Sequence, residues 1–230
     1  MTIDYRRHFE EHAGHYSEQV APLFAVTHRH LASWAAGLPP TRVLDVACGD
    51  GRVAAAIAEH GHEVIACDRS APLVHRAGRA RVHALIADAH ALPLRDGSVG
   101  AVVCNLGLQF FDQPVVALRE MARVVERGKP VIITIPDKSV GAVVPAAPPP
   151  TEALAAAGLA IVAEQTLAEQ VHLHDVSAIV AVWRVELGTR HELAEVSDEE
   201  LFDLAGVLVQ RAGGGVGVSL GFRVYSCTAG

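Results

Sequence analysis

The chain has 230 residues, half of them apolar and a fifth charged, and a formal net charge of −7 at pH 7. This composition supports one ordinary buried core. Its acidic balance argues against nucleic acid as a partner, because phosphate recognition needs clustered Lys and Arg. No apolar run reaches the roughly 18 residues that a bilayer span needs, and the opening MTIDYRRHFEEHAGHY has no apolar signal core. A cytoplasmic protein without a membrane span is expected.

Tyr5 to Trp34 reads as two helices broken near Ala21-Pro22, with Leu38-Pro39-Pro40 closing the lead-in. From Thr41 onward, short apolar runs alternate with helical stretches, which is the pattern of βα units on a parallel sheet. The predicted strands are Arg42–Ala47, Glu63–Cys67, Val82–Ala87, Gly100–Asn105 and Pro130–Ile135. The helices between them are Gly51–His60, Ala71–Arg79 and Gln113–Arg127.

A Pro-rich linker, Val144–Pro150, leads to a helix at Thr151–Ala157 and a strand near Leu159–Thr166. The interval Leu167–Gly215 holds two amphipathic stretches, Asp175–Leu187 and Ser197–Arg211, ahead of a last strand at Val216–Thr228. We expect a single domain over 1–230. It comprises a helical lid (1–40), a cofactor-binding half (41–136) and a substrate-shaping half (137–230) with an insertion at about 167–215.

Cys48, Cys67 and Cys104 each end a predicted strand, show no metal-type spacing, and are expected to be small buried thiols rather than disulfide partners. His8, His12 and His15 share one helical face, but that spacing reads as a polar lid face and not as a metal site. Arg6-Arg7 and the Arg76/Arg79/Arg81 group read as solvated helix faces.

The most informative segment is Val43-Leu44-Asp45-Val46-Ala47-Cys48-Gly49-Asp50-Gly51-Arg52. A buried strand enters a tight turn whose glycines, Gly49 and Gly51, permit positive φ and close approach of a ligand to the backbone. The helix that follows aims its free N–H groups at the loop. The glycine pattern alone also meets a relaxed dinucleotide fingerprint.

Acids at three successive strand ends separate the possibilities. Asp45, on the first strand, can reach a cationic group of a cofactor, whereas an NAD pyrophosphate would be repelled there. Asp68 can accept from two ribose hydroxyls. Asp88 can accept from an adenine amino group, beside the backbone N–H of Ala89. Any one of these acids could be a helix cap or turn residue; the three in order form a line along the binding edge of an open α/β sheet.

VLDVACGDGR, VIACDRS, LIADAHALPL and VGAVVCNLGLQFFD together resemble the successive motifs of class I S-adenosylmethionine-dependent methyltransferases, most of all the ubiquinone/menaquinone-biosynthesis and BioC-like group of small-molecule enzymes. The likeness covers residues 1–136 well and the rest loosely. It implies a Rossmann-like, seven-stranded, mostly parallel α/β sheet with a reversed last strand, helices on both faces, an N-terminal helical lid and a helical insertion before the last strand. It also implies that Asp45, Ala47, Gly49 and Gly51 surround the methionine part of S-adenosylmethionine. Asp68 and Arg69 would flank the ribose, Asp88 and Ala89 the adenine, with Asn105 under the sulfonium and Tyr16 of the lid touching the cofactor.

Two departures stand out. The family usually has an Asp within Ser98-Val99-Gly100, and a Pro-Gly-Gly turn where this chain has Arg127-Gly128-Lys129.

The expected reaction moves a methyl group from S-adenosylmethionine to a small-molecule acceptor, a biosynthetic metabolite, leaving S-adenosylhomocysteine. A base is optional. Gln109, after the fourth strand, and His172 and His174, before the helical insertion, are the catalytic candidates; Phe110-Phe111 and Trp183 either line an apolar acceptor cavity or pack as core. No metal is expected, and a monomer or homodimer is. The other readings are a cofactor-binding scaffold with a non-methylating activity such as cyclisation, and an NAD(P)-dependent oxidoreductase, for which no Tyr-x-x-x-Lys pattern is present.

Overall fold

The computed structural model describes residues 5–79, 82–137, 149–173, 175–180, 197–211 and 216–230. Its frame is a seven-stranded sheet of order β3-β2-β1-β4-β5-β7-β6. The strands are β1 Arg42–Val46, β2 Glu63–Asp68, β3 His83–Ile86, β4 Ala101–Asn105, β5 Pro130–Pro136, β6 Leu159–Leu173 and β7 Val216–Ala229. The first five run parallel, and β7 is antiparallel to both β5 and β6.

The central strands are nearly continuous apolar runs because both sheet faces are covered. On one face Leu44, Val46, Val102, Cys104 and Ile133 pack against Leu118 and Met121 of α6 (Pro114–Val124) and Leu154 of α7 (Thr151–Ala156). On the other, Val43, Val64, Val103 and Ile132 meet Leu31 of α3 (Ala25–Ala36) and Ile57 of α4 (Arg52–Ala58). Each such fully buried side chain contributes about 1.5–3 kcal/mol. The alternation also puts Asp45 on the α3/α4 face, two residues after Val43.

The N-terminal segment differs from two plain helices. It is a string of short pieces: α1 (Tyr5–Glu11), α2 (Ala13–His15), a π-turn at Tyr16–Val20, a 3-10 turn at Ala21–Phe24 with Pro22 in its first turn, and then α3. The break expected near Ala21-Pro22 is present, but the helix already slips register at Tyr16.

A second correction concerns β6, which continues past Thr166 to Leu173 and pairs with β7 as far as Val216. Leu167, Glu169, Val171 and Leu173 face inward while Ala168, Gln170 and His172 are exposed, a period-two alternation that an edge strand with one covered face sustains. The first amphipathic stretch of the insertion is helical over 176–180. Residues 181–196, including Trp183, lie outside the described residues. The second stretch forms α8 (Asp198–Arg211).

Both departures from the family pattern have local explanations. A Cβ at Gly100 would sit 1.9 Å from Thr41 Oγ1, so this entry to β4 has room for glycine because Thr41 already fills the space. Gly128 keeps the turn before β5, with φ of 72° and its N–H donated to Ala229 O. All four cysteines are free and buried.

His62 ties α3 to the sheet. Its Nδ1 accepts from the Thr41 N–H at 3.3 Å, which makes Nε2 the protonated nitrogen that donates to Ala35 O at 2.9 Å. With the ring buried, His62→Ala strands a donor and an acceptor. We expect a loss of about 1–3 kcal/mol, read as a fall of roughly 3–10 °C in Tm for a chain of this size; an unchanged Tm would show the bridge to be idle.

Candidate functional site

The site lies at the carboxyl ends of β1, β2, β3 and β4, where an open α/β sheet places its ligands. After β1 the chain turns through Ala47 (φ 56°), Gly49 (φ 55°) and Gly51 (φ 82°). A Cβ on Gly51 would lie 2.7 Å from Ala77 Cβ, on α5 (Ala71–Ala77), so α4 and α5 close together only over glycine. After β4 a matching turn runs through Leu106 (φ 56°) and Gly107, where a Cβ would come within 2.6 Å of Ala47 Cβ. Two non-glycine residues in the left-handed region, one on each loop, each store about 1–3 kcal/mol, and such strain concentrates at ligand sites.

Asp68 holds the first loop in place. Its Oδ2 accepts from the Gly49 N–H at 3.0 Å and its Oδ1 from the Ser70 N–H at 2.9 Å. Burial pushes the carboxyl above its ordinary range, and the backbone donors of Ser70, Gly49 and Arg69 oppose that. Asp88 sits at the end of the next strand, with Oδ1 accepting from the His90 backbone N–H at 2.9 Å and facing His90 Nδ1 at 2.6 Å. The turn-residue reading therefore describes part of what both acids do.

Asp45 is different. It is 1% exposed, lies outside the cavity wall, and neither of its oxygens has a hydrogen-bond partner. Burial, then the nearby Asp68 charge, pushes its carboxyl up to about 8, while the Ala54 N–H pulls the other way without making a hydrogen bond. A buried carboxyl without a partner next to a glycine loop is an acceptor that the fold itself leaves unfilled.

An open cavity of about 580 Å³ is lined by Ala47, Gly49, Asp68, Arg69, Ser70 and Leu73 on the cofactor-loop side and by Asn105, Leu106 and Gly107 on the β4 side. Its roof is aromatic. Tyr16 sits over Gly49, packs edge-on to Phe9 at 5.4 Å, and Phe9 packs edge-on to Phe110 at 5.2 Å. Burial raises the Tyr16 hydroxyl well above its ordinary pKa, so it stays neutral. Thr134 Oγ1 donates to Asn105 Oδ1, which leaves the Asn105 amide N–H groups as donors for a ligand.

A second slot of about 300 Å³ shares Ala47, Asp68, Arg69 and Phe111 with the first and ends on Asp88, Ala89 and His90. The structure thus brings Tyr16, Ala47, Gly49, Asp68, Arg69, Asp88, Ala89 and Asn105 to two adjoining cavities that share a wall, with Asp45 and Gly51 supporting the loop. It adds Arg6, Phe9, Ser70, Leu73 and His90, which the sequence reading missed. Of these, only the Asp-x-His spacing of Asp88 and His90 is a signal that a sequence could have offered.

The catalytic candidates fare otherwise. Gln109 sits in the 3-10 turn Leu108–Phe110 and folds back to donate to Leu106 O at 2.8 Å, so it does not line the cavity. His172 lies on the exposed face of β6, also off the cavity wall, and His174 is outside the described residues. Phe110 and Phe111 both line the cavity, and Phe111 packs on the core as well. No His/Cys/Asp/Glu group fit to hold a metal occurs among the described residues, and no helix among them is long and apolar enough to cross a membrane.

Residues 44–133 match the family model described as a methyltransferase domain. The chain is similar to the demethylmenaquinone methyltransferases of Beutenbergia cavernae (39% identical over 97 residues, 41% of this chain and 40% of the relative) and Renibacterium salmoninarum (35% over 130 residues, 50% and 55%). It is also similar to the malonyl-[acyl-carrier protein] O-methyltransferase of Pseudescherichia vulneris (36% over 97 residues, 41% and 39%). These matches span about two fifths to just over half of the curated relatives' lengths.

Among solved structures, the fold is shared with the YcgJ protein of Bacillus subtilis (TM-score 0.60, 18% identity, 89% of this chain and 98% of that one). It is also shared with geranyl diphosphate methyltransferase solved in complex with S-adenosylmethionine (TM-score 0.55, 14% identity, 89% and 84%). The fold and site define a Rossmann-like methyltransferase architecture. Over residues 44–133 the chain carries the match to the methyltransferase-domain family, and the curated relatives similar to it are methyltransferases by name.

The unpartnered state of Asp45 has a stability consequence. A carboxyl raised from 3.8 to about 8 in the folded protein makes folding most favourable below pH 4. That advantage is lost as pH rises to 8, at roughly 1.4 kcal/mol per unit. Denaturation midpoints from pH 5 to 9 should therefore fall more steeply in the wild type than in Asp45→Asn; Asp68, raised in both proteins, cancels in the difference. Equal slopes would mean that Asp45 is ionised and satisfied throughout.

Proposed function

We propose that the protein transfers a methyl group from S-adenosylmethionine to a small-molecule acceptor, a metabolite in a biosynthetic pathway, releasing S-adenosylhomocysteine. The observation that carries this reading is the adjoining pair of cavities. A glycine loop clamped by Asp68 opens on one side to a slot ending in Asp88 and on the other to an aromatic-roofed space beside Asn105. The residues fit the cofactor in charge as well as shape. Asp45 offers an unfilled acceptor near the cationic amino acid end, Asp68 keeps lone pairs for ribose hydroxyls, and Asp88 and Ala89 border the second slot, on the adenine side.

When bound, S-adenosylmethionine supplies an electrophilic methyl group on a sulfonium whose leaving thioether is neutral. The protein's part is alignment and exclusion of water. Leu106 and Gly107 hold the floor at the end of β4, where Leu106 N donates to both Thr134 O and Thr134 Oγ1 at 3.1 Å. Phe9, Tyr16 and Phe110 close the roof. In this reading neither Gln109 nor His172 serves as a base, so an acceptor whose nucleophilic atom loses its proton readily suits the site. The acidic surface and the names of the similar proteins favour a metabolite over a polymer.

Calorimetric titration of the full chain with S-adenosylmethionine, S-adenosylhomocysteine and NAD tests the cofactor. We expect micromolar binding of both sulfur ligands, no response to NAD, and at least a tenfold weakening (about 1.4 kcal/mol) in Asp68→Ala that has been shown to be folded. Failure of either sulfur ligand to bind would sink the proposal. A panel including demethylmenaquinone-type quinols and malonyl thioesters then tests transfer, and binding without turnover on any acceptor would favour a non-methylating use of the same pocket, such as cyclisation.

A further inference from the structure

We infer that His90 is a positioning residue for base recognition: it anchors one oxygen of Asp88, leaves the other to accept from an exocyclic amine, and so makes the slot selective for adenine over a 6-oxopurine. This rests on the proposal that the two cavities hold an adenosyl cofactor.

His90 follows β3 by a few residues and lines the slot together with Asp88, Ala89 and Phe111. A simple Asx turn needs only the backbone contact, in which the His90 N–H donates to Asp88 Oδ1 at 2.9 Å. Here the ring adds a second bond to the same oxygen, Nδ1 to Oδ1 at 2.6 Å.

The tautomer follows from the far side of the ring. The Gln113 N–H, at the start of α6, approaches Nε2 at 3.4 Å, so Nε2 is the acceptor and Nδ1 carries the hydrogen that Asp88 receives. The ring edge packs on Phe111 at 5.7 Å and 67°, which fixes its plane, and only 17% of its side chain is exposed.

Asp88 itself is half exposed, and the backbone bond alone would hold its carboxylate at a single point. With Oδ1 saturated by two donors from one residue, Oδ2 is the oxygen left for a ligand. An ionised Oδ2 attracts an amino group at purine C6 and repels a carbonyl there. Burial raises the Asp88 carboxyl, but the His90 bonds and the Arg69 charge outweigh it and hold the group below its ordinary range, which keeps it ionised at neutral pH. His90 thus acts through Asp88 and touches no reacting atom.

The amide variants separate the two ring nitrogens. The His90→Asn amide reaches about where Nδ1 sits and can still donate to Asp88, whereas the His90→Gln amide falls near Nε2 and cannot. Binding of S-adenosylhomocysteine and S-inosylhomocysteine is measured by calorimetry on the full chain. The wild type and His90→Asn should prefer the adenosyl ligand strongly, and His90→Gln should lose roughly tenfold of that preference, mostly through weaker adenosyl binding. Equal preference ratios in all three proteins, or a loss in His90→Asn alone, would overturn the assignment. If the wild type bound neither nucleoside, the cofactor reading would fail; if it bound S-adenosylhomocysteine and both variants matched it, only the role of His90 would.

Discussion

The carboxylate of Asp68 is the fastening on which the site depends. It joins the end of β2 to the loop after β1 by accepting from Gly49 and, with its other oxygen, to the start of α5 by accepting from Ser70. Hydrogen bonds from backbone N–H groups to an ionised acceptor contribute about 1.5–3 kcal/mol each. The loop they hold includes Ala47 in the left-handed region, which costs about 1–3 kcal/mol. The two are of similar size, so the loop keeps its shape without help from a ligand. The same bonds offset part of the cost of burying the Asp68 charge, an offset that the unpartnered Asp45 lacks.

Asp45 shows the opposite choice. One strand away, at the same sheet edge, it has neither donors nor solvent. Structure alone gains nothing from an acid there, since an apolar residue would fill the position between Val43 and the loop at less cost. Asp45 stands among otherwise apolar neighbours on the α3/α4 face, where burial favours its protonated form.

The parts of this arrangement that sequence revealed are those in which each residue acts by itself or with near neighbours. The central parallel strands were legible because burial on both faces turns them into apolar runs, the edge strand β3 because it follows the same βα rhythm, and the acids at their ends because a carboxylate at a strand terminus is conspicuous. The distal half of β6 was not: Leu167, Glu169, Val171 and Leu173 face inward, but the acidic Glu169 and the apolar Ala168 blur the alternation, and only pairing with β7 reveals the strand.

Gln109 was placed at the cavity because its position in the chain suited it, yet its amide satisfies the Leu106 carbonyl in its own turn, a local bond that outcompetes a reach toward solvent. His90 escaped notice because it matters only through the folding back of its ring onto the acid two residues before it. The π-turn at Tyr16 was hidden because π geometry has no residue signature, although such turns recur at functional sites.

The division of labour within the fold bears on where acceptor choice is encoded. Residues 44–133, the segment matched by the family model, contain β1 through most of β5 and with them the glycine loop, Asp68, Asp88 and Asn105. Of the roof, Phe110 lies inside that segment, and the rest comes from outside it. Phe9 and Tyr16 belong to the N-terminal pieces, which rest on the distal β6–β7 hairpin through a cluster of Val20, Phe24, Leu106, Leu220 and Phe222. Leu106 belongs at once to this cluster and to the cavity wall. Repacking of Phe222 or Leu220 would therefore move the acceptor side of the cavity through Leu106 and Tyr16. The Asp68 clamp, held by bonds within the matched segment, would stay where it is. The matched segment can thus keep its loop geometry while β6, β7 and the N-terminal pieces reshape the cavity above it.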